Sequence, residues 1–423
     1  MTLGTRIVIG MVAGLAVGGL FTFIDGPVTT RIVSVIEPVG TLWLNALRMT
    51  VVPLVISLLI TGMASASQTA STGRLAARAL LLFVVLLTAA AVAGALLTPA
   101  ALAVWPVHPD SATALRAGAG MADATVPQLP PWREWITAVI PVNPFAAAAD
   151  ADMLPLVIFA LLFGLAASRI QAAQRERLLG FFQAVADAVF VLVRWILIAA
   201  PAGVFALALG VGFRGGIEAA GALVHYLVLM CALCIVITLA MYPLATLAGG
   251  MPLRRFVRAA APAQALAFST QSSLACLPVM LESARSQLGL PARVSSVVLP
   301  LAVSLFRITS PIVNLSIVLF VAHVHGIDLD PAQLVAGVAV AVVTSFAVVG
   351  LPSQITFFTT TVPISLAMGV PTDILPLLLA IEVIPDLFRT VGNVTADLTA
   401  SVILARRAEL PDAAGEPARS EPG

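Results

Sequence analysis

Lysine is absent from the 423 residues, histidine occurs four times, cysteine three times and tyrosine twice, and only 10% of residues are charged. So little charge excludes a soluble enzyme, which needs a polar skin of about 25% charged residues. The missing lysine reads as compositional bias and carries no mechanism. A net charge of +1, with arginines spread over many connections, provides no basic patch for nucleic acid. Cys231 and Cys234 form a CxxC inside the apolar run HYLVLMCALCIVITLAMY, and Cys276 stands apart. A metal or redox centre would need more ligands or a soluble α/β context, so the three cysteines read as packing residues. His323 and His325 at i, i+2 point apart on a helix, and His108 and His225 have no partner motif.

Apolar residues make up 60% of the chain. That composition indicates an all-α polytopic membrane protein whose main solvent is lipid. The run from Ile7 to Ile24 follows one arginine and lacks a small-residue cleavage site, so it reads as a retained first span. Gly10, Gly14 and Gly18, four apart, suit close helix packing there. With about 20 residues needed per crossing, spans fall near 6–24, 38–64, 75–103, 152–170, 178–212 and 219–248.

The pattern then changes. Residues 252–290 and 331–370 each hold two short apolar halves around a polar or Gly/Pro tip, STQSSLACLP in the first and VVGLPSQ in the second. Each is too long for one straight span and too interrupted for two, as expected of re-entrant helical hairpins. Between them 292–325 is expected to break at Pro311, and 372–405 follows as a final span. The expected total is eight transmembrane helices plus two hairpins, arranged as inverted repeats with the tips meeting near the midplane. Three parts follow: scaffold spans and an external loop in 1–150, fourth to sixth spans in 151–250, and a transport core in 251–405. A polar, Pro-rich tail at 406–423 is expected to be disordered and cytoplasmic.

Arginine placement orients these spans. Arg6, Arg74 and Arg78, Arg169 to Arg177, Arg254 to Arg258, Arg285 with Arg293, and Arg406 with Arg407 occupy alternating connections, cytoplasmic by the positive-inside rule. Both termini then face the cytoplasm of a cell, or inner, membrane. Residues 104–150, with Trp105, Trp132 and Trp135, form the longest external connection.

The final span carries the chemistry. Glu382, Asp386, Arg389, Asn393 and Asp397 fall within an arc of about 80° at 100° per residue, one stripe in an apolar run. Each intramembrane charge costs about 2.5–3.5 kcal/mol, and such charges mark ion or substrate pathways. The plainer alternative is a structural Asp386–Arg389 pair at i, i+3, which leaves Glu382 and Asp397 without partners.

STQSSLACLP, VVGLPSQ and above all DLFRTVGNVTADLT resemble the glutamate-transporter family of dicarboxylate and amino acid:cation symporters, including archaeal aspartate transporters and excitatory amino acid transporters. VNPFAAAADADMLPLVIFALLFGLA and PAGVFALALG extend the likeness over nearly the whole chain. The resemblance implies a secondary active transporter working by alternating access, and a homotrimer. It implies that Arg389 holds a side-chain carboxylate and Asp386 an ammonium group, with Thr390, Asn393 and Ser310 adding polar contacts. Ser272 and Ser273 at the first tip would meet the main-chain carboxylate, and the backbone at Gly350, Leu351, Pro352 and Ser353 would close over the substrate. Asp397 with Asn393 matches a family sodium site, and Ala302, Ser304 and Ser345 fall at a second one built from backbone carbonyls.

The seventh span departs from this pattern. Where the family has asparagine, methionine, aspartate, glycine and threonine, the chain reads Phe306, Arg307, Ile308, Thr309 and Ser310. Ile308 cannot bind sodium, Phe306 weakens the site at Asp397, and Val85 and Ala89 stand where the family has further ligands. Arg307 is expected near Asp397 or Glu382, as a fixed cation or as a salt bridge unrelated to coupling. Sodium, protons or exchange then remain open as the coupling mode, with Glu382 the candidate proton carrier. No other cofactor is called for.

Other signals carry less. GVGFRG at 210–215 fits a dinucleotide fingerprint but follows a membrane helix. The glycosylation-like triplets at Asn314 and Asn393 lie inside spans. Ser272 and Ser273 have no histidine base, which argues against an intramembrane enzyme; a channel would lack coupling. Asp386 favours an acidic amino acid over a C4-dicarboxylate, while Pro385, Gln271 and Cys276 leave a larger or neutral amino acid open.

Overall fold

Every peptide N–H buried in lipid must find its acceptor within the protein, and helices do this locally. A computed structural model describes residues 3–24, 26–72, 74–118, 140–150, 152–215, 218–347 and 353–409, and every regular element among them is helical. Among the described residues, six helices are long and apolar enough to cross a membrane, and four shorter apolar ones accompany them. The chain is an all-α, multi-pass membrane protein.

In order, the helices are α1 (Leu3–Phe23), α2 (Pro27–Thr72), α3 (Arg74–Val104), α4 (Pro109–Gly118), α5 (Pro144–Ala149), α6 (Met153–Ala167), α7 (Ala172–Ile198), α8 (Ala200–Gly215) and α9 (Glu218–Leu247). Then come α10 (Leu253–Thr270), α11 (Ser273–Glu282), a π-helical turn (Ser283–Gln287), α12 (Ala292–Leu305) and α13 (Thr309–His325). The last are α14 (Pro331–Ala347), α15 (Ser353–Ala367), α16 (Leu375–Ile381) and α17 (Val383–Glu409).

Three boundaries differ from the sequence expectation, and proline chemistry explains each. The span expected over 178–212 is two helices, parted at Ala199 just before Pro201, whose ring clashes with the carbonyl four residues back. The seventh span breaks at 306–308, upstream of Pro311, because proline is tolerated in the first turn of α13, where no intrahelical bond is lost. The final span is interrupted at Glu382, three residues before Pro385, which likewise sits in a first helical turn.

Small residues set the closest contacts. A Cβ on Gly10 or Gly14 would stand 2.5 Å from the carbonyl oxygens of Pro201 and Phe205, so α1 lies backbone to backbone on α8, as the glycine spacing anticipates. Gly392 plays the same part deeper inside: a Cβ there would stand 2.6 Å from Thr309 Cγ2 and 2.7 Å from Thr238 Oγ1. This admits α17 against both α9 and the start of α13. α3 packs along α13 and also touches α17, so α12, α13 and α17 lie within a sleeve of α3, α9 and α10. α13 is enclosed almost along its whole length.

The expected tip residues Gly350, Leu351 and Pro352, the loop residues Trp132 and Trp135, and the tail from 410 onward lie outside the described residues. Around the first tip, Gln271 adopts a left-handed conformation (φ 52°) and ends α10, while Ser272 caps α11 by accepting from Ala275 N at 3.3 Å. Gln271 Nε2 donates to Val383 O at 2.9 Å, which fastens this turn to the start of α17.

Candidate functional site

The charged stripe on α17 faces inward along its length. Glu382 and Asp397 are completely enclosed, and Asp386, Arg389, Thr390 and Asn393 are buried beside them. What aims these side chains is the gap between α12 and α13. Phe306 leaves the helix in an extended conformation and stacks on Phe83 of α3 at 4.6 Å, which turns Arg307 toward α17. Thr309 then donates to Asn393 Oδ1 twice, from its backbone N at 3.1 Å and its hydroxyl at 2.9 Å, so the N-terminus of α13 is held by α17.

Arg389 sits in a buried hydrogen-bonded network. Its Nη1 donates to Glu382 Oε1 at 2.5 Å and its Nη2 to Asn314 Oδ1 at 2.8 Å, and Tyr226 Oη donates to Glu382 Oε2 at 3.0 Å. Glu382 therefore pairs with Arg389, and not with Arg307 as one sequence alternative had it. The ion pair that fixes Arg389 thus spans i, i+7. Charge-assisted bonds of this kind fix a guanidinium's plane as well as its position.

Beside this network lies a narrow cavity of about 10 Å³, room for about one water, lined by Arg307, Ser310, Asn314, Thr356, Thr360, Asp386, Arg389 and Asn393. All eight are polar and buried, which is unusual deep in an apolar protein, and these side chains would have to part to admit a solute larger than water. Two guanidiniums and one carboxylate face it. Two larger cavities are walled mainly by apolar side chains.

Several expected site residues stand elsewhere. Ser272 is spent as a helix cap; Ser273 is buried with its hydroxyl unbonded among the described residues, and neither lines this cavity. Thr390 turns its hydroxyl back to Asp386 O at 2.9 Å. Ser304 bonds Pro300 O and Ser345 bonds Ala341 O, each one turn back, while the Ala302 carbonyl accepts Phe306 N at 2.7 Å. Val85 is 54% exposed and Ala89 is exposed too, so the residues of α3 that turn inward are instead Phe83, Leu87 and Ala90.

Asp397 differs from its neighbours. It is fully enclosed, and neither carboxylate oxygen meets a hydrogen-bond donor among the described residues. No group of three or more metal-ligating His, Cys, Asp or Glu side chains occurs among them either.

A family model described as the sodium:dicarboxylate symporter family matches residues 3–407. The chain belongs to that family. This symporter-family chain is 27% identical to a proton/sodium-glutamate symport protein of Bacillus caldotenax, over 96% of its own length and 94% of the relative's. It is 25% identical to a C4-dicarboxylate transport protein of Deinococcus radiodurans, over 96% and 89%. It is 29% identical to a neutral amino acid transporter B(0) of Bos taurus, over 92% and 76%. Members with three kinds of named substrate thus align with the one chain.

Four residues of this symporter-family site escaped the sequence reading. Asn314 had appeared only as an unusable glycosylation triplet, and Tyr226 is one of just two tyrosines. Thr356 and Thr360 lie one turn apart on α15, with Thr360 Oγ1 donating to Thr356 O at 3.0 Å. The signal available for the last two was the cluster TFFTTT, polar residues inside an apolar hairpin half.

Proposed function

We propose that this chain is a secondary active transporter that moves an acidic amino acid, or a related dicarboxylate, together with a monovalent cation by alternating access. The observation that carries the reading is the buried polar cavity where Arg389, Arg307 and Asp386 converge. A guanidinium fork matches a carboxylate, and a carboxylate matches an ammonium group, so an acidic amino acid meets a partner for each of its charges. The names of the relatives, glutamate symporters among them, support cation coupling. Transport, not catalysis, is the activity we assign.

In this reading the core is 251–405, with α10–α11 and α14–α15 as re-entrant hairpins and 1–150 as scaffold. Arg389 holds the side-chain carboxylate, Asp386 the ammonium group, and Asn393, Ser310, Thr356 and Thr360 the remaining polar atoms. Backbone at Gly350 to Pro352 forms the closing tip. Asp397 with Asn393 receives the coupling ion, sodium or a proton. The remaining family sodium ligands are lost at Phe306 and Ile308. The protein resides as a trimer in the cell membrane, with both termini cytoplasmic.

A second reading, a C4-dicarboxylate carrier, is favoured by one observation: Arg307 places a second guanidinium on the cavity, which suits a doubly anionic substrate. Uptake of labelled aspartate, glutamate and succinate into proteoliposomes, with sodium and proton gradients imposed separately, tests both. Concentrative uptake of an amino acid supports the first reading, concentrative uptake of succinate alone supports the second, and mere equilibration would indicate a channel and overturn both.

A further inference from the structure

The connection between α15 and α16, residues 368–374, is held by neighbouring helices. Gln333 Nε2, in the first turn of α14, donates to Met368 O at 2.8 Å. Arg48 Nη2, from α2, donates to Thr372 Oγ1 at 2.9 Å. The next residue, Asp373, meets the last residue of α13: its Oδ2 stands 3.3 Å from His325 Nε2, and the His325 and Asp373 side chains are only 6% and 8% exposed. The opposite ring nitrogen, His325 Nδ1, lies 2.9 Å from Val321 O, one turn back.

This geometry contains a proton. A backbone carbonyl and a carboxylate are both acceptors, so each imidazole nitrogen faces an acceptor. A neutral ring carries one hydrogen and serves one of them, and the other contact then sets a lone pair against an oxygen. Both contacts are made together when the pair holds one proton more, whether the ring keeps it as imidazolium or Asp373 keeps it as the carboxylic acid. Asp373 Oδ1 is buried with no hydrogen-bond partner among the described residues, so the hydrogen bonding of this carboxyl group rests on His325. The other charged groups that bear on the pair are guanidiniums, Arg116 of α4 on His325 and Arg48 of α2 on Asp373. Neither His325 nor Asp373 lines the polar cavity, so this proton is apart from the substrate site.

We propose that His325 and Asp373 form a proton-operated latch: with the proton bound, the 368–374 connection is fastened to α13, and as pH rises the proton leaves and the connection is released. Its place in the fold gives the latch a consequence. In the transport reading α14–α15 is the hairpin whose tip closes over the substrate, 368–374 is the foot of that hairpin, and Thr372 ties the foot to α2 of the scaffold. A fastened foot restrains the hairpin, and a released one frees it to move. This gating role rests on the transport reading; the latch itself does not.

Amide hydrogen exchange of the full-length protein in detergent, read by mass spectrometry over about pH 5–8, the range in which imidazole changes charge, tests the latch once the intrinsic pH dependence is divided out. Native peptides covering 368–374 are expected to lose protection roughly ten- to a hundredfold as pH rises, the scale of a hydrogen bond to a charged group. His325→Phe, which keeps a ring without nitrogens, should show the low protection at every pH. Asp373→Asn should show the high protection at every pH, because an amide N–H donates to Nε2 of the neutral ring while Nδ1–H still serves Val321 O; this variant decides the matter where His325→Phe does not fold. Native protection that does not change with pH, or a transition that persists unaltered in Asp373→Asn, would overturn the proposal. Labelled uptake into proteoliposomes then reads the gating. Asp373→Asn, latched throughout, is expected to turn over more slowly than the native protein at the alkaline end and equally fast at the acidic end; equal rates at both ends would overturn the gating role. Absence of cation-driven uptake by the native protein would instead defeat the transport reading, and the exchange data would still decide the latch.

Discussion

Arg389 and Glu382 face each other at 2.5 Å from positions seven apart, two turns of the final span, with Glu382 fully enclosed and Arg389 nearly so. The turn at Glu382 makes this possible. By interrupting the helix before Pro385, it lets a carboxylate at the C-terminus of α16 reach an arginine in the second turn of α17. Removing one partner of such a buried pair strands the other. Glu382→Ala is expected to lower stability by about 3–5 kcal/mol and to abolish uptake, read as a thermal unfolding shift in detergent beside labelled uptake. An unshifted transition would show that the pair carries no structural weight.

Tyr226 completes that network from α9. Its hydroxyl bonds Glu382 Oε2 at 3.0 Å, and Phe at this position keeps the ring contact with Phe320 while deleting the bond. Tyr226→Phe should cost about 1.5–3 kcal/mol, as expected for a hydrogen bond to a charged group. Chemical-denaturant titration in detergent would measure the loss. A change under 0.5 kcal/mol, roughly the scale of neutral surface substitutions, would mean that Glu382 Oε2 is satisfied without it.

Asp386 decides between substrate classes. In Asp386→Asn the ammonium partner loses its charge while cavity size stays nearly constant. Amino acid affinity is expected to fall by about 1.5–3 kcal/mol, roughly ten- to a hundredfold, whereas succinate affinity should hold or improve. Competition against labelled substrate measures both. Parallel losses for the two substrates would contradict the assigned role.

Gly392 is where the fold is least forgiving. Gly392→Ala drives a methyl toward Thr309 Cγ2 and Thr238 Oγ1, so α17 must move away from α13 or α9. Over-packing of this kind costs about 1–3 kcal/mol, and Thr309 would give up part of its bonding to Asn393. A fall in unfolding temperature together with weaker substrate binding is expected; full retention of both would mean that the helices separate without penalty.

How much of this was legible beforehand depends on what kind of constraint wrote it. The membrane class, the span positions and the stripe on α17 follow from hydropathy and from a 100° period, which act locally in sequence. The helix breaks were legible only approximately: Pro311 and Pro385 signalled them, but a proline in the first turn moves the break upstream, to 306–308 and to Glu382. Pairings were not legible. Glu382 had Asp386, Arg389 and Arg307 as nearby charges in pattern or family register, and only the α16–α17 turn selects Arg389. Asn314, Thr356 and Thr360, which line the cavity, and Tyr226, which bonds Glu382, belong to other helices, and nothing in their local sequence declares these partners.

The most direct measurement is accumulation. Native protein is reconstituted into sealed proteoliposomes, a sodium or proton gradient is imposed, and labelled aspartate or glutamate is followed inside and out. Internal substrate is expected to rise above the external concentration while the gradient lasts and to relax when an ionophore collapses it. Internal and external concentrations that become equal at the same rate, with or without the gradient, would contradict cation-coupled transport by this chain.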